Sequence, residues 1–512
     1  MSIHSSQHQL KVSENHTAIG MDKVRVGVAA LLAGAASTPL MWNEMHASST
    51  EQHIIVLSIA ISVLAVSCAL LMVAVPELRK GFVHWRLGPW YVAVYGATFG
   101  AASLGWLHPR LDSGSSQIRL DAVEAALQLS LVGLGVWVLG YMVGPPALLV
   151  RVANRAIALA QTGLTPTLRT GSRIWTVFAI GTLAKLLSAA LTGGFGYLGD
   201  PSAGIERAAP YALLLSILSG LSTVGVAMAA YDACSLRQGS RKSLILFLAI
   251  EFFVGSVSGT KGYFVTTALA VLIAYGAQRG SLSRRGVSVG ILIFLLVVIP
   301  FNASYRTAVR GDQDLTPSQG ASAAPRILNE SVQNDSPSKT ATASLSYLAE
   351  RLREIDSVAI IRQRTPSAIP FRNPTELLAA PLVGLVPRAL WPGKPILSIG
   401  YDFTVEYYGL AGLYTSSAIA PQGDLFRYGG YPVAVIGMFI FGMACRLLDR
   451  CIQPERDPRA MFFLILLVPL IVRSEADIAT MLTSLPSIFV AGALAIRLAS
   501  CSVMAGRSAI QQ

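Results

Sequence analysis

Apolar stretches long enough to cross a bilayer recur from Val26 to Leu498, and nothing constrains this chain more. Hydrocarbon about 30 Å thick asks for roughly 20 apolar residues per helix, and about twelve segments meet that demand. Composition agrees, because 53% of the 512 residues are apolar and 13% are charged, about half the charge of an ordinary soluble domain. The expected fold class is an all-α polytopic membrane protein of about twelve transmembrane helices.

The net charge of +12 raises the question of nucleic acid, but the placement of the charge answers it. Arg79, Lys80 and Arg86 share one short loop, and Arg151, Arg155, Arg169 and Arg173 the next. Arg237, Arg241 and Lys242, then Arg279, Arg284 and Arg285, then Arg446, Arg450, Arg456 and Arg459 occupy the following ones. These loops alternate with loops poor in basic residues, so the positive-inside rule puts all of them on the cytoplasmic face. Both termini then fall inside, the partner surface is membrane lipid, and no nucleic-acid partner is expected. The polar first residues lack a basic-then-apolar cleavage pattern and read as a cytoplasmic tail. Cys68, Cys234, Cys445, Cys451 and Cys501 fall in predicted helices or on the inner side, so no disulfide framework is implied.

The expected organisation is a tail over residues 1–23, helices one to nine over 24–300, a large outer loop over 301–430, helices ten to twelve over 431–498 and a second tail over 499–512. Residues 145–173 interleave Leu149, Val152, Ile157 and Leu159 with Arg151 and Arg155, and read as an amphipathic segment along the inner surface. Lys185 and Glu251 fall at similar depth in helices five and seven, where an ion pair is arithmetically possible.

The long loop carries the densest chemistry. Residues 311–340 are rich in Ser, Ala, Gln, Asp and Pro and read as flexible. Leu345, Leu348, Leu352, Ile355 and Ala359 recur at spacings of three and four, which predicts one amphipathic helix stopped by Pro366 and Pro370. The run Pro387-Arg388-Ala389-Leu390-Trp391-Pro392-Gly393-Lys394-Pro395 pins two cations between prolines. It is either a cation site or a rigid corner whose charges cap loop carbonyls. Ser258-Gly259-Thr260-Lys261-Gly262 departs from the Walker order and sits on an outer turn, so Lys261 either holds a lipid-linked phosphate or snorkels at a helix end.

Zinc spacing, HExxH, GxSxG and dinucleotide fingerprints are all missing from the sequence, so neither a metal site nor a cofactor is expected. What remains is a set of outer cations, Arg306, Arg353, Arg388, Lys394, Arg427 and Lys261, with carboxylates at Asp356, Asp402, Glu406 and Asp424. Cations against a diphosphate leaving group, with one carboxylate base, suffice for metal-free glycosyl transfer. Asp356 is the first choice of base, with Asp424 and Glu406 next.

The order of these pieces carries a resemblance. An outer Ser-Gly-Thr-Lys-Gly turn precedes a helix into the long loop, and Glu350-Arg351-Leu352 leads through Asp356 to Thr365-Pro366. The proline-bracketed cation run, a Thr415-Ser416 patch and Gln422-Gly423-Asp424 before a Gly-rich helix complete it. This resembles the bacterial O-antigen polymerases and oligosaccharide repeat-unit polymerases, most sharply over residues 301–449. The resemblance implies an architecture of the C-type glycosyltransferase kind and a substrate of undecaprenyl-pyrophosphate-linked oligosaccharide. It also implies an active face on the periplasmic side of the cytoplasmic (inner) membrane, and chain-length-regulator and flippase partners. An O-antigen ligase is the nearest alternative, although ligases usually carry a histidine in the large outer loop and 301–430 has none. A lipid-linked oligosaccharide flippase or secondary transporter is the alternative of another class, although no matching broken repeats are visible.

Overall fold

A computed structural model describes residues 49–74, 86–107, 117–162, 164–168, 171–192, 195, 208–234, 238–258, 261–279, 284–302, 304–305, 352–388, 390–391, 393–394, 399–410, 417–454, 456–472 and 476–502. The predicted first helix, the first polar tail, residues 503–512 of the second, Arg306 and the 311–340 segment lie outside them. The described chain is almost entirely helical. Its helices are α1 (Thr50–Ala74), α2 (Leu87–Tyr95, continued by a π turn and a 3-10 turn to Leu107), α3 (Leu120–Val143), α4 (Ala147–Gln161), α5 (Ser172–Thr192) and α6 (Ala212–Ala233). Then follow α7 (Gln238–Ser258), α8 (Lys261–Arg279), α9 (Arg284–Ile293), α10 (Ile355–Arg364), α11 (Thr375–Leu385) and α12 (Ile399–Tyr408). The last are α13 (Pro421–Arg427), α14 (Gly430–Cys451), α15 (Met461–Ile471) and α16 (Ile478–Ala499). One small feature is not helical: β1 (Leu164–Leu168) pairs antiparallel with β2 (Ser500–Ser502), so the chain after α16 turns back onto the bundle.

Among the described residues six helices are long and apolar enough to cross a membrane: α1, α3, α5, α6, α14 and α16. The other predicted segments among the described residues are helical too, but α7 carries Arg241, Lys242 and Glu251, and α15 has only 11 residues. The apolar faces of the long helices divide between core and exterior. On α1, Ile54, Leu57, Ile61 and Leu64 are buried while Ile59, Val63, Val66 and Leu70 are exposed. An exposed aliphatic stripe on a helix that is apolar all round suits contact with lipid.

Close backbone approach holds the seam between α3 and α14. A side chain at Gly140 would strike the carbonyl of Phe439, and one at Gly442 the carbonyl of Trp137, so only glycine lets these helices lie together. Buried between the helices, Lys185 of α5 meets Glu251 of α7 at 2.9 Å, with the Tyr263 ring 5.1 Å below the ammonium. The ion pair allowed by the sequence is therefore made, and each charge satisfies the other where water is scarce.

Tertiary contacts sort the helix ends into two groups. Asp449 at the end of α14 accepts from Leu87 N and Gly88 N at the start of α2, at 2.7 and 3.0 Å, and from the Tyr141 hydroxyl at 2.8 Å. Arg173 donates to the carbonyls of Leu498 and Ser500, Arg459 to that of Leu164, and Arg279 to that of Cys234. These residues all fall at ends to which the charge pattern assigns one face. At the opposite ends, Trp106 meets Asp356, Gln117 meets Gln363 and Arg364, and Ile478 meets Asp424. A chain that alternates direction with each helix sorts its ends in this way. Helix α4 realises the predicted amphipathic segment over a shorter range, with none of its residues buried and Leu148, Leu149, Val152 and Leu159 exposed.

The long loop departs most from expectation. Of the helix predicted over 345–359, residues 345–351 lie outside the described residues, 352–354 are turn and coil, and a helix runs from Ile355 to Arg364. Helix α10 turns Ile355, Val358, Ala359, Ile360 and Ile361 into the core, because α3, α12 and α13 pack around it. A spacing of three and four sets which side is apolar, but not where the helix starts.

Candidate functional site

Helix α13 is the centre of the site, and all seven of its residues are buried. Pro421 opens it, where a missing N–H costs nothing. Such burial is tolerable only if Gln422, Asp424 and Arg427 find partners. Gln422 Nε2 donates to Ser130 Oγ of α3 at 3.1 Å. The carbonyl of Ser130 in turn accepts from the Tyr95 hydroxyl at 2.8 Å.

Asp424 and Arg427 are one helical turn apart and form the buried part of a charged ladder. Arg427 Nη1 lies 3.3 Å from Asp424 Oδ1, with side-chain exposures of 1% and 0%. Its Nη2 lies 3.4 Å from Glu406 Oε2 on α12, and Arg372 Nη2 reaches the same oxygen at 2.7 Å. Phe403 and Tyr407 of α12 flank the Arg427 guanidinium at 5.3 Å each, a pair of cation-π contacts. The backbone joins in, since Arg372 N donates to Arg427 O at 2.8 Å. The order is thus Arg372, Glu406, Arg427, Asp424, running from a partly exposed rim inward. Glu406 is 32% exposed and its Oε1 carries neither arginine bond.

Asp424 has a second task. Its Oδ2 accepts from Ile478 N at 3.0 Å, at the first turn of α16, where Asp477 caps the same helix by accepting from Thr480 N at 2.6 Å. Two carboxylates at one helix N-terminus satisfy N–H groups that would otherwise be orphaned and complement the helix dipole. Burial, and then the Asp477 charge, push the Asp424 carboxyl above its usual range, while Arg427 and the helix N–H groups oppose them. Asp424 is therefore a clamp between α13 and α16, with no exposed surface on which to meet a substrate.

Asp356 sits in a neighbouring cluster. Arg353 grips it with Nε and Nη2 at 3.0 to 3.2 Å, and the Trp106 indole N–H donates to its Oδ1 at 2.8 Å. Arg353 also lies over the Trp106 ring at 5.2 Å. The carboxylate is 19% exposed, so it is a held anion and not a solvated one at a helix edge.

The proline-bracketed run follows α11, which packs on α16 so closely that Gly384 abuts the backbone of Thr483. Leu378, Leu382 and Leu385 on α11 remain exposed, and so do Leu390 and Trp391. Lys394 Nζ donates to the carbonyl of Val386 at 2.9 Å, the capping contact that a rigid corner requires. Burial, and then the nearby Arg388 charge, lower the Lys394 ammonium below its usual range. Lys261 is the first residue of α8.

Of the residues singled out from sequence, Asp424, Glu406 and Arg427 come together in one ladder, Arg353 and Asp356 in another, and Arg388 and Lys394 at the corner. Sequence reasoning missed Arg372, Trp106 and the role of Asp477. Asp477 had a local signal, an N-cap residue before an apolar run. Arg372 had none, because its partner is 34 residues away in sequence.

Residues 205–456 match the model of a family described as a domain of unknown function, DUF8712. The match spans α6 to α14 and includes Arg353, Asp356, Arg372, Arg388, Lys394, Glu406, Asp424 and Arg427, but not Trp106 or Asp477. No curated protein and no solved structure matches the chain.

Proposed function

We propose that this chain is a glycosyltransferase that joins undecaprenyl-pyrophosphate-linked oligosaccharide repeat units into O-antigen, capsule or exopolysaccharide. In this reading about twelve helices span the cytoplasmic membrane with both termini inside, and residues 301–430 face the periplasm. The observation that carries it is the ladder Arg372, Glu406, Arg427, Asp424, gathered where the long loop packs into one end of an apolar bundle. A carboxylate with one uncommitted oxygen, beside fixed cations, can accept a proton from a hydroxyl.

The transfer is inverting. An acceptor hydroxyl oxygen attacks the anomeric carbon, its proton passes to Glu406, and the carbon–oxygen bond to the diphosphate breaks with its electron pair. Arg388 and Lys394 stabilise the departing undecaprenyl diphosphate. Burial and then the Arg388 charge already disfavour the Lys394 ammonium, and an anion arriving at the corner offsets that cost. The exposed leucines of α11 and Trp391 give the prenyl chain an apolar approach to that corner. Asp356, grasped by Arg353 and Trp106, serves to hold α10 against the end of α2.

The test compares polymerised with single-unit glycan in a strain lacking the protein, complemented by wild type or variants. The deletion is expected to leave single units, and wild type to restore polymer. Arg388→Ala should lower the rate by about 2.7 to 4 kcal/mol of barrier, with protein still in the membrane, and Arg388→Lys should recover only part. Normal polymer in the deletion strain would end the proposal. Normal polymer with Arg388→Ala and Lys394→Ala would leave these residues as a rigid corner.

A further inference from the structure

At the same end of the molecule an aromatic shelf stands partly open beside the charged ladder. Phe371 is 43% exposed and Tyr431 38%, although both are large apolar rings in ordered, closely packed surroundings. Each sets its ring against buried Phe426, with centroids 6.1 and 5.5 Å apart in edge-to-face geometry. Gly430, at φ +70°, lies under Phe371, and a side chain there would press on the tip of the ring. The backbone thus leaves room for Phe371 to lie flat.

Polar groups border the shelf on two sides. Arg362 of α10 lays its guanidinium over Phe426 at 4.5 Å and Tyr431 at 5.0 Å. Its Nε is buried with no acceptor among the described residues, and the Nε of Arg427 is in the same condition. Residue 372 follows Phe371 directly, so the partly exposed Arg372–Glu406 pair adjoins the ring. Both Nε atoms are enclosed, so the polar group a ligand can reach from the shelf is the partly exposed Arg372–Glu406 pair.

Apolar rings with a partly exposed ion pair at the rim suit a ligand that is itself two-sided. A prenyl chain has no use for the ion pair, and a phosphate none for the rings. A pyranose presents C–H faces that stack on aromatic rings and hydroxyls that reach outward from its edge. We propose that Phe371 and Tyr431, with Arg362, Arg372 and Glu406 at the rim, form a saccharide-binding subsite for the glycan of the lipid-linked oligosaccharide. The identity of this ligand rests on the glycosyltransferase reading above, which it deepens by locating the sugar. The ladder that adjoins Phe371 also carries Glu406, so a sugar on the shelf stands next to the proposed base.

The experiment uses the full chain in lipid nanodiscs. The probe is the repeat-unit oligosaccharide released by mild acid from the lipid-linked pool of the deletion strain, free of diphosphate and prenyl chain. Wild type is expected to bind it in calorimetric titration. Phe371→Ala and Tyr431→Ala should each weaken binding about tenfold, the upper range for a single aromatic contact. Phe371→Trp and Tyr431→Phe should retain it, which guards against a simple loss of folding, as does an unchanged unfolding temperature. Equal binding by wild type and both alanine variants would overturn the subsite and leave the rings as anchors at the membrane interface. Failure of wild type to bind the released glycan would overturn it as well. Normal polymer in the deletion strain, together with shelf-dependent binding, would instead keep the subsite and overturn the polymerase reading.

Discussion

Replacing Arg427 by alanine is expected to destabilise the folded protein by about 3 to 5 kcal/mol, the range seen when one partner of a buried ion pair is removed. Arg427 is 1% exposed and bonds Asp424, which has no exposed surface at all, so its loss strands a carboxylate beside Asp477. The unfolding temperature in detergent measures the effect. Its pH dependence identifies the cause. Burial and Asp477 already raise the Asp424 carboxyl above its unfolded value, so the folded state holds this proton more tightly than the unfolded chain. Stability from this group is then complete at low pH and is lost as pH rises from the ordinary carboxylate range, near about 4, through the raised folded value. Arg427→Ala should extend that decline to higher pH, because the cation that opposes the rise is gone. Adding Asp424→Asn should flatten it. A variant as stable as wild type at every pH would show that the pair contributes nothing to the fold.

Glu406→Gln is expected to lower the rate of polymer formation by about 100-fold to 10,000-fold, the usual contribution of a positioned general base. The amide keeps the shape of the side chain and an acceptor for Arg372, but cannot take a proton. Glu406 is partly exposed, so the protein should remain folded and in the membrane, which separates this variant from Arg427→Ala. Asp356→Asn should leave far more activity, since Arg353 and Trp106 already occupy that carboxylate. The measurement is the initial rate of polymer growth on extracted lipid-linked units, as a function of pH. If Asp356→Asn loses polymer and Glu406→Gln does not, the base is Asp356. If both are active, the reaction runs on leaving-group stabilisation without a protein base.

The two variants divide as they do because of burial, and burial was the quantity hardest to read from the chain. Asp424 and Glu406 look alike in sequence, each a lone carboxylate among aromatic and small residues. Only packing makes the first a clamp inside the bundle and leaves the second at its rim. Asp356 likewise looks like a solvated residue on an amphipathic helix. Its partners are a tryptophan 250 residues earlier and an arginine three residues before it, and only the arginine lies within reach of local pattern.

By itself the sequence determined where most helices run and which ends belong together. Hydrocarbon thickness demands long apolar runs, and charge in short connections sets their direction, and both are local properties of the chain. The six long apolar helices and the sorting of their ends follow from that. Tertiary structure alone decided that the described part of the polar loop packs four further helices against the bundle, that the seven residues of α13 are enclosed, and that Arg372 joins Glu406. A helix of two turns has too few residues to display a period, and a buried charge is acceptable only because of partners distant in sequence. No spacing along the chain records those partners.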